Sequence, residues 1–231
     1  MKKLLVNILF FSLLILTFGL GSYFSTDLKE DVLTQKKVVL HPFDKRFIED
    51  EEVLALLKLK DSSLSKIKVE EIEKKLITNP YIANAEVYMD LNNRLYAYIE
   101  QYQPVARIIG RNSYYIDKDG NKKPLSKHYT ENVILVFGNL SAKQQKEVYE
   151  LIQKINADPV LKEIVTEIHL NNGRYSLRTQ ALSGNILFGD LNNSEEKLEK
   201  LKAIYAYLTK KKLHKKYHQL NLTYHNQVVC N

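Results

Sequence analysis

The sequence predicts an α+β protein: a single N-terminal transmembrane helix, a β-α-α-β-β unit, then a mixed α/β region ending in a long helix and a C-terminal edge strand. Three stretches carry this reading. Residues 4–24 form an apolar run without a charge. Residues 79–107 read as strand, turn and strand between Asn79-Pro80 and Pro104. Residues 194–212 repeat apolar positions at helical spacing, and residues 219–229 then switch to an alternating pattern.

The chain of 231 residues is 45% hydrophobic and 26% charged, a globular rather than disordered balance. Its net charge of +7 is modest and weakly clustered, which points to a solvated surface and no nucleic-acid partner. Cys230 is the one cysteine, so there is no internal disulfide and no zinc spacing. It has no activating base near it in sequence.

Lys2 and Lys3 precede the apolar run, which as a helix measures about 31 Å, enough to cross a bilayer core. Leu4, Phe11, Leu14 and Leu20 are among its lipid-facing candidates. The lysines place a tip, residues 1–3, on the cytoplasmic side, with Tyr23 and Phe24 at the far interface. The alternative is a cleaved secretory signal, for which Gly19 to Ser22 offer only poor small-x-small sites. Either way, residues from about 25 onward are expected outside the cytoplasmic membrane.

Residues 25–35 are polar and read as a stalk. Val38, Val39 and Leu40 make the first strand candidate, closed by Pro42. Asp50 is a candidate N-cap, with Val53, Leu56 and Leu57 as a helical stripe. A second helix over 69–78 presents Val69, Ile72, Leu76 and Ile77, and Asn79-Pro80 stops it. In the hairpin, Ala85, Val87 and Met89 alternate with Glu86, Tyr88 and Asp90; Leu95, Ala97 and Ile99 alternate with Tyr96, Tyr98 and Glu100. Beyond it come a turn at Lys118-Asp119-Gly120-Asn121, a strand over 133–137, and a helix capped by Ser141 that ends before Asp158-Pro159. Strands over 164–170 and 174–181 flank Asn171-Asn172-Gly173. A short strand at 186–189, the long helix from Ser194 and the terminal strand 219–229 complete the chain.

The β-α-α-β-β order resembles the POTRA domain. Gln101-Tyr102-Gln103-Pro104-Val105-Ala106-Arg107 resembles the exit of that domain in the bacterial cell-division family FtsQ/DivIB. Tyr114 to Gly120, with Ile116-Asp117-x-x-Gly120, looks like the hairpin that opens the next domain of that family. The resemblance implies a POTRA-like domain over 36–106 and the family's β-domain over 107–231.

No G-x-S-x-G, Walker loop or G-x-G-x-x-G is present, and no cofactor is expected. His214 and His218 stand at i,i+4 without an accompanying Glu and read as a basic tip. Asp117-Lys118-Asp119-Gly120 lacks the closing Glu of a calcium loop, since the twelfth position is His128. Glu163, Glu167 and His169 fall on the expected strand 164–170 or beside it and need no catalytic explanation.

What remains is strand edges, whose unpaired backbone groups template an added strand. Along 219–229, Leu220, Leu222, Tyr224, Asn226 and Val228 share one parity. This is either an ordinary edge strand or, as the resemblance implies, a strand that with the preceding helix captures FtsB/FtsL-like partners. Leu222, Tyr224, Asn226, Gln227 and Val228 are the candidate contacts. Asn221-Leu222-Thr223-Tyr224 departs from the family's D-L-R-Y at its first and third positions. Lys210, Lys211, Lys212, Lys215 and Lys216 either meet acidic partner residues or form a solvated face. The expected function is a non-enzymatic septal scaffold in the inner membrane, bound to other divisome components. The rivals are a POTRA-type assembly factor for outer-membrane or exported proteins, and an envelope enzyme.

Overall fold

The computed structural model describes residues 32–33, 38–40, 47–57, 62–63, 68–91 and 94–231. The tip, the run 4–24 with Leu4, Phe11, Leu14 and Leu20, and all of 25–35 except two residues lie outside the described residues. Among the described residues no helix is long and apolar enough to cross a membrane. The chain forms two compact units. The first takes Met1–Pro42, Asp50–Thr78 and Ala85–Ile99; the second takes Phe43–Glu49, Asn79–Asn84 and Glu100–Asn231.

In the first unit, β1 (Val32–Leu33) pairs antiparallel with β3 (Ser62–Ser63). The polar stretch 25–35 therefore holds a strand where the sequence predicts only a stalk. β2 (Val38–Leu40) runs parallel to β5 (Leu95–Gln101), and β4 (Ile82–Met89) flanks β5 on its other side. Helix α1 (Asp50–Leu57) starts on Asp50, so this residue joins Glu51 and Glu52 in the first turn, where the helix dipole favours anions, rather than standing outside as a cap. Helix α2 (Val69–Ile77) buries Ile72 and Leu76, but Ile77 is 45% exposed. It lies about 100° round the helix from Leu76 and leaves the buried stripe. The hairpin alternation holds: Ala85, Val87, Leu95, Ala97 and Ile99 are buried, while Glu86, Tyr88 and Tyr98 are exposed. Tyr88 and Tyr96 stack in parallel at 5.0 Å on the outer face. The Glu73 carboxylate of α2 accepts the Val87 N–H at 2.8 Å, which occupies one edge donor of β4.

The second unit is a nine-stranded sheet. Its strands are β6 (Pro104–Ile109), β7 (Tyr114–Asp117), β8 (Lys122–Lys123), β9 (Ile134–Phe137), β10 (Val165–Asn171), β11 (Arg174–Thr179), β12 (Asn185–Gly189), β13 (Gln219–Asn221) and β14 (Val229–Cys230). Their spatial order is β14-β13-β12-β11-β10-β9-β6-β7-β8. β9 and β10 are parallel neighbours joined through α3 (Ala142–Ala157) and α4 (Pro159–Ile164); β12 and β13 are parallel neighbours joined through α5 (Ser194–Lys210). β9 and β12 point the same way, and both crossovers step toward β14. Right-handed crossovers of that kind put all three helices on one face. The core lies there: Ala106, Ile108, Val136, Ile168, Leu177, Ile186 and Phe188 from the sheet meet Val148, Ile152, Ile155, Leu161, Leu198 and Leu201 from the helices.

Local chemistry sets the helix ends. Ser141 and Gln144 form a reciprocal capping box at α3. Asp158-Pro159, which the sequence presents as a stop, also starts α4: the Asp158 carboxylate accepts the N–H groups of Val160 and Leu161, and Pro159 fills the first helical position. Glu163 is therefore helical, and the expected strand from 164 begins at Val165. The same carboxylate accepts from the Lys202 ammonium of α5 at 2.6 Å, so one side chain joins three helices. Lys197 is 7% exposed and donates to the main-chain and side-chain oxygens of Asp190.

The carboxyls of Asp158, Glu196 and Asp190 are each held below the usual carboxylate range, chiefly by hydrogen bonds from Lys202, Lys200 and Lys197. A depressed folded pKa contributes stability that is complete above the unfolded value, about 4, and is lost as pH falls through the folded value. The thermal midpoint is expected to hold from pH 7 to 5 and to fall below about pH 4. Asp158→Asn should flatten that acid limb; an unchanged slope in the variant would count against the Asp158 contact.

A second buried cluster joins distant segments of this unit. Phe47 stacks on Tyr102 at 4.6 Å and meets Tyr129 and Tyr115 edge-on. Its N–H donates to Gln101 Oε1 at 2.7 Å, and its carbonyl accepts from Ser126 Oγ at 2.6 Å. Tyr102 OH reaches the Pro124 carbonyl, and burial pushes its phenol pKa up.

Candidate functional site

The residues that the sequence offers as candidate partner contacts lie at the β14 end of the sheet. β13 lies parallel to β12, with Ile186 opposite Leu220, and antiparallel to β14, with Leu220 opposite Cys230 and Asn221 opposite Val229. The expected continuous strand 219–229 is thus two short strands with a loop between them. The cause is local hydrogen bonding. Asn221 Oδ1 accepts from the Thr223 N–H and hydroxyl, a turn that takes the chain out of the sheet. The Lys200 ammonium then takes the carbonyls of Leu222 and Tyr224 at 3.1 and 2.7 Å. Glu196 takes the Asn226 N–H at 3.3 Å and lies 3.4 Å from His225 Nδ1. Asn226 itself is left-handed at φ 55. Gly189, at φ 78, leaves the room Thr223 needs: a Cβ there would come within 2.8 Å of the Thr223 methyl.

The candidate contacts consequently do not share one face. Leu222 is fully buried in the main core, and Val228 is half-buried against it. Tyr224, 49% exposed, stands out with Asn226 and Gln227. Tyr207 on α5 is exposed as well, a residue the sequence pattern did not single out because it falls between core positions Ile204 and Leu208. Lys210, Lys211, Lys212, Lys215 and Lys216 are all exposed.

Residues 37–100 match the family model described as a POTRA-like domain. Residues 103–231, more than half of the chain, match the model described as FtsQ/DivIB, C-terminal related. The chain belongs to the FtsQ/DivIB family. That family is one of non-enzymatic cell-division scaffolds. Among solved structures, the chain is similar to the major extracytoplasmic domain of the trans isomer of the cell-division protein DivIB from Geobacillus stearothermophilus. The match has 15% identity and a TM-score of 0.27, and covers 34% of this chain and 71% of that one. No curated protein matches.

Other polar clusters lie elsewhere in the FtsQ/DivIB-related region. Asp117 is buried, and its Oδ1 accepts the N–H groups of Asp119 and Asn121 in a tight turn with Gly120 at φ 82. His169 Nε2 lies 2.6 Å from Glu167, and its ring stacks on Phe137 at 4.6 Å. Arg178 lies 3.7 Å from Glu167, and Ser176 stands opposite His169 in the ladder. A groove of about 850 Å³ opens at the N-terminal ends of β6, β9 and β10, lined by Arg107, Lys118 and Lys162 and by Glu131, Glu163 and Glu167. Among the described residues no His, Cys, Asp and Glu group is placed to hold a metal. Burial pushes the Cys230 thiol pKa up, away from thiolate reactivity.

Proposed function

We propose that this chain is a septal scaffold, held in the inner membrane by residues 4–24 with its bulk outside the cytoplasm. It binds an FtsB/FtsL-like pair and other divisome components through the β14 end of the sheet. Binding proceeds by strand addition and by contacts with α5, without turnover. The observation that carries this reading is a two-residue edge strand that directly follows the exposed Tyr224, Asn226 and Gln227. Tyrosine is among the residue types that anchor interfaces. The family supports the scaffold role, and the region that follows the POTRA-like match is FtsQ/DivIB-related.

The test is capture of the co-expressed FtsB/FtsL-like pair by the full-length chain. Tyr224→Glu with Gln227→Glu, both exposed, should weaken capture at least tenfold, about 1.4 kcal/mol, while the thermal midpoint stays in place. Undiminished capture would rule out this edge as the binding surface.

A further inference from the structure

β13 is not an open edge, because β14 occupies it. β14 holds its place with few contacts. It pairs through Val229 and Cys230 only, supported by the Asn231 main chain, which accepts from His218 and Gln219 and donates to Gln219. Val228, Val229 and Cys230 are all half-buried. The segment linking it to β13 is exposed from Thr223 to Gln227 and contains the left-handed Asn226.

β13 stands without it. The Asn185 N–H donates to the His218 carbonyl and the Leu222 N–H to the Leu187 carbonyl, both at 2.9 Å. Leu220 and Leu222 are buried in the core, and Lys200 fixes the chain as far as Tyr224. A swing within residues 225–227, which gives up the exposed Glu196 contacts to the Asn226 N–H and His225, therefore frees the β13 edge and leaves the rest of the sheet intact.

The place vacated has a definite chemistry. On the helix side Val228 and Cys230 pack on the main core, so an incoming strand must bring apolar side chains there at alternate positions. On the other face it meets Gln219 and Asn221. Lys211, Lys212, Lys215 and Lys216, all exposed, precede β13 and favour acidic residues at the strand's flank.

We propose that β14 is a stand-in strand, covering β13 in the free protein and displaced by an extended partner segment with alternating apolar residues and an acidic flank. The partner strand thus replaces β14 and does not add outside it. This rests on the strand-addition reading above.

Two experiments on the full-length chain test it. The first needs no partner. Amide hydrogen exchange of His218, Gln219 and Asn231, whose bonds depend on β14, should be about 100-fold faster than that of Asn185 and Leu222, whose bonds join β13 to β12. Equal protection overturns the proposal whatever the partner does. The second is the variant Leu220→Cys beside the native Cys230. Leu220 and Cys230 are direct partners next to the Gln219–Asn231 pair that exchanges both main-chain bonds, so they form the non-hydrogen-bonded pair in which Cβ atoms approach most closely, and oxidation locks β14 in place. Capture of the FtsB/FtsL-like pair should fall at least tenfold on oxidation and return on reduction. Equal capture in both forms overturns displacement and leaves strand addition standing. If neither the reduced variant nor the native chain captures the pair, the strand-addition reading fails, and hydrogen exchange alone decides whether β14 opens.

Discussion

Phe47→Ala is expected to destabilise the second unit by about 3–5 kcal/mol, the range for emptying a fully buried phenylalanine site. Phe47 is wholly enclosed, stacked on Tyr102 and edge-on to Tyr129 and Tyr115, and such ring pairs add to the loss from burial. Its main chain is held as well, by Gln101 and Ser126, so an alanine keeps the backbone in place and the cavity cannot easily collapse. Phe47→Leu should recover more than half of the loss. Denaturant unfolding followed by tyrosine fluorescence checks both variants. A cost below 1 kcal/mol for the alanine would show that the cluster contributes little.

Ile152→Ala should cost the same unit about 4 kcal/mol. Ile152 is fully buried on α3, among Val148, Leu151 and Ile155, in the layer between helices and sheet. Ile152→Val removes one methyl group and should cost about 1 kcal/mol. If the alanine and valine variants unfold at the same denaturant concentration, the packing of α3 on the sheet described above is wrong.

The parts of the fold that the sequence discloses are those where one short period decides burial. Ala85, Val87, Leu95 and Ala97 are inside as their alternation requires, and Val148, Ile152 and Ile155 follow the helical stripe. The failures arise where a side chain competes with the backbone. Residues 219–229 alternate, yet Asn221, Glu196 and Lys200 capture the main-chain groups a continuous strand would need. Two of those three side chains lie on α5, more than twenty residues earlier, and alternation carries no trace of them. Asp158-Pro159 signals a break equally well whether it ends one helix or begins another, and only the carboxylate's bonds to the Val160 and Leu161 N–H groups show that it does both. Ile77 looks apolar and periodic but lies one position past its stripe. Phe47 has no periodic partner at all; the residues that enclose it are 55 or more positions further on. At the candidate site, the proposed contacts lie at the β14 end of the sheet, and their division into buried Leu222 and exposed Tyr224 depends on that same turn at Asn221.

The second unit takes its residues from three separate stretches, with segments of the first unit between them. During synthesis the chain lays down Phe47 long before Tyr102, Tyr115 and Tyr129 leave the ribosome, so that ring waits uncovered while later residues are translated. The first unit has all its material once Ile99 is made, whereas the sheet of the second lacks β13 and β14 until the last dozen or so residues emerge. A nascent chain therefore holds all the residues of the first unit while Phe47 still lacks the rings that enclose it in the folded protein.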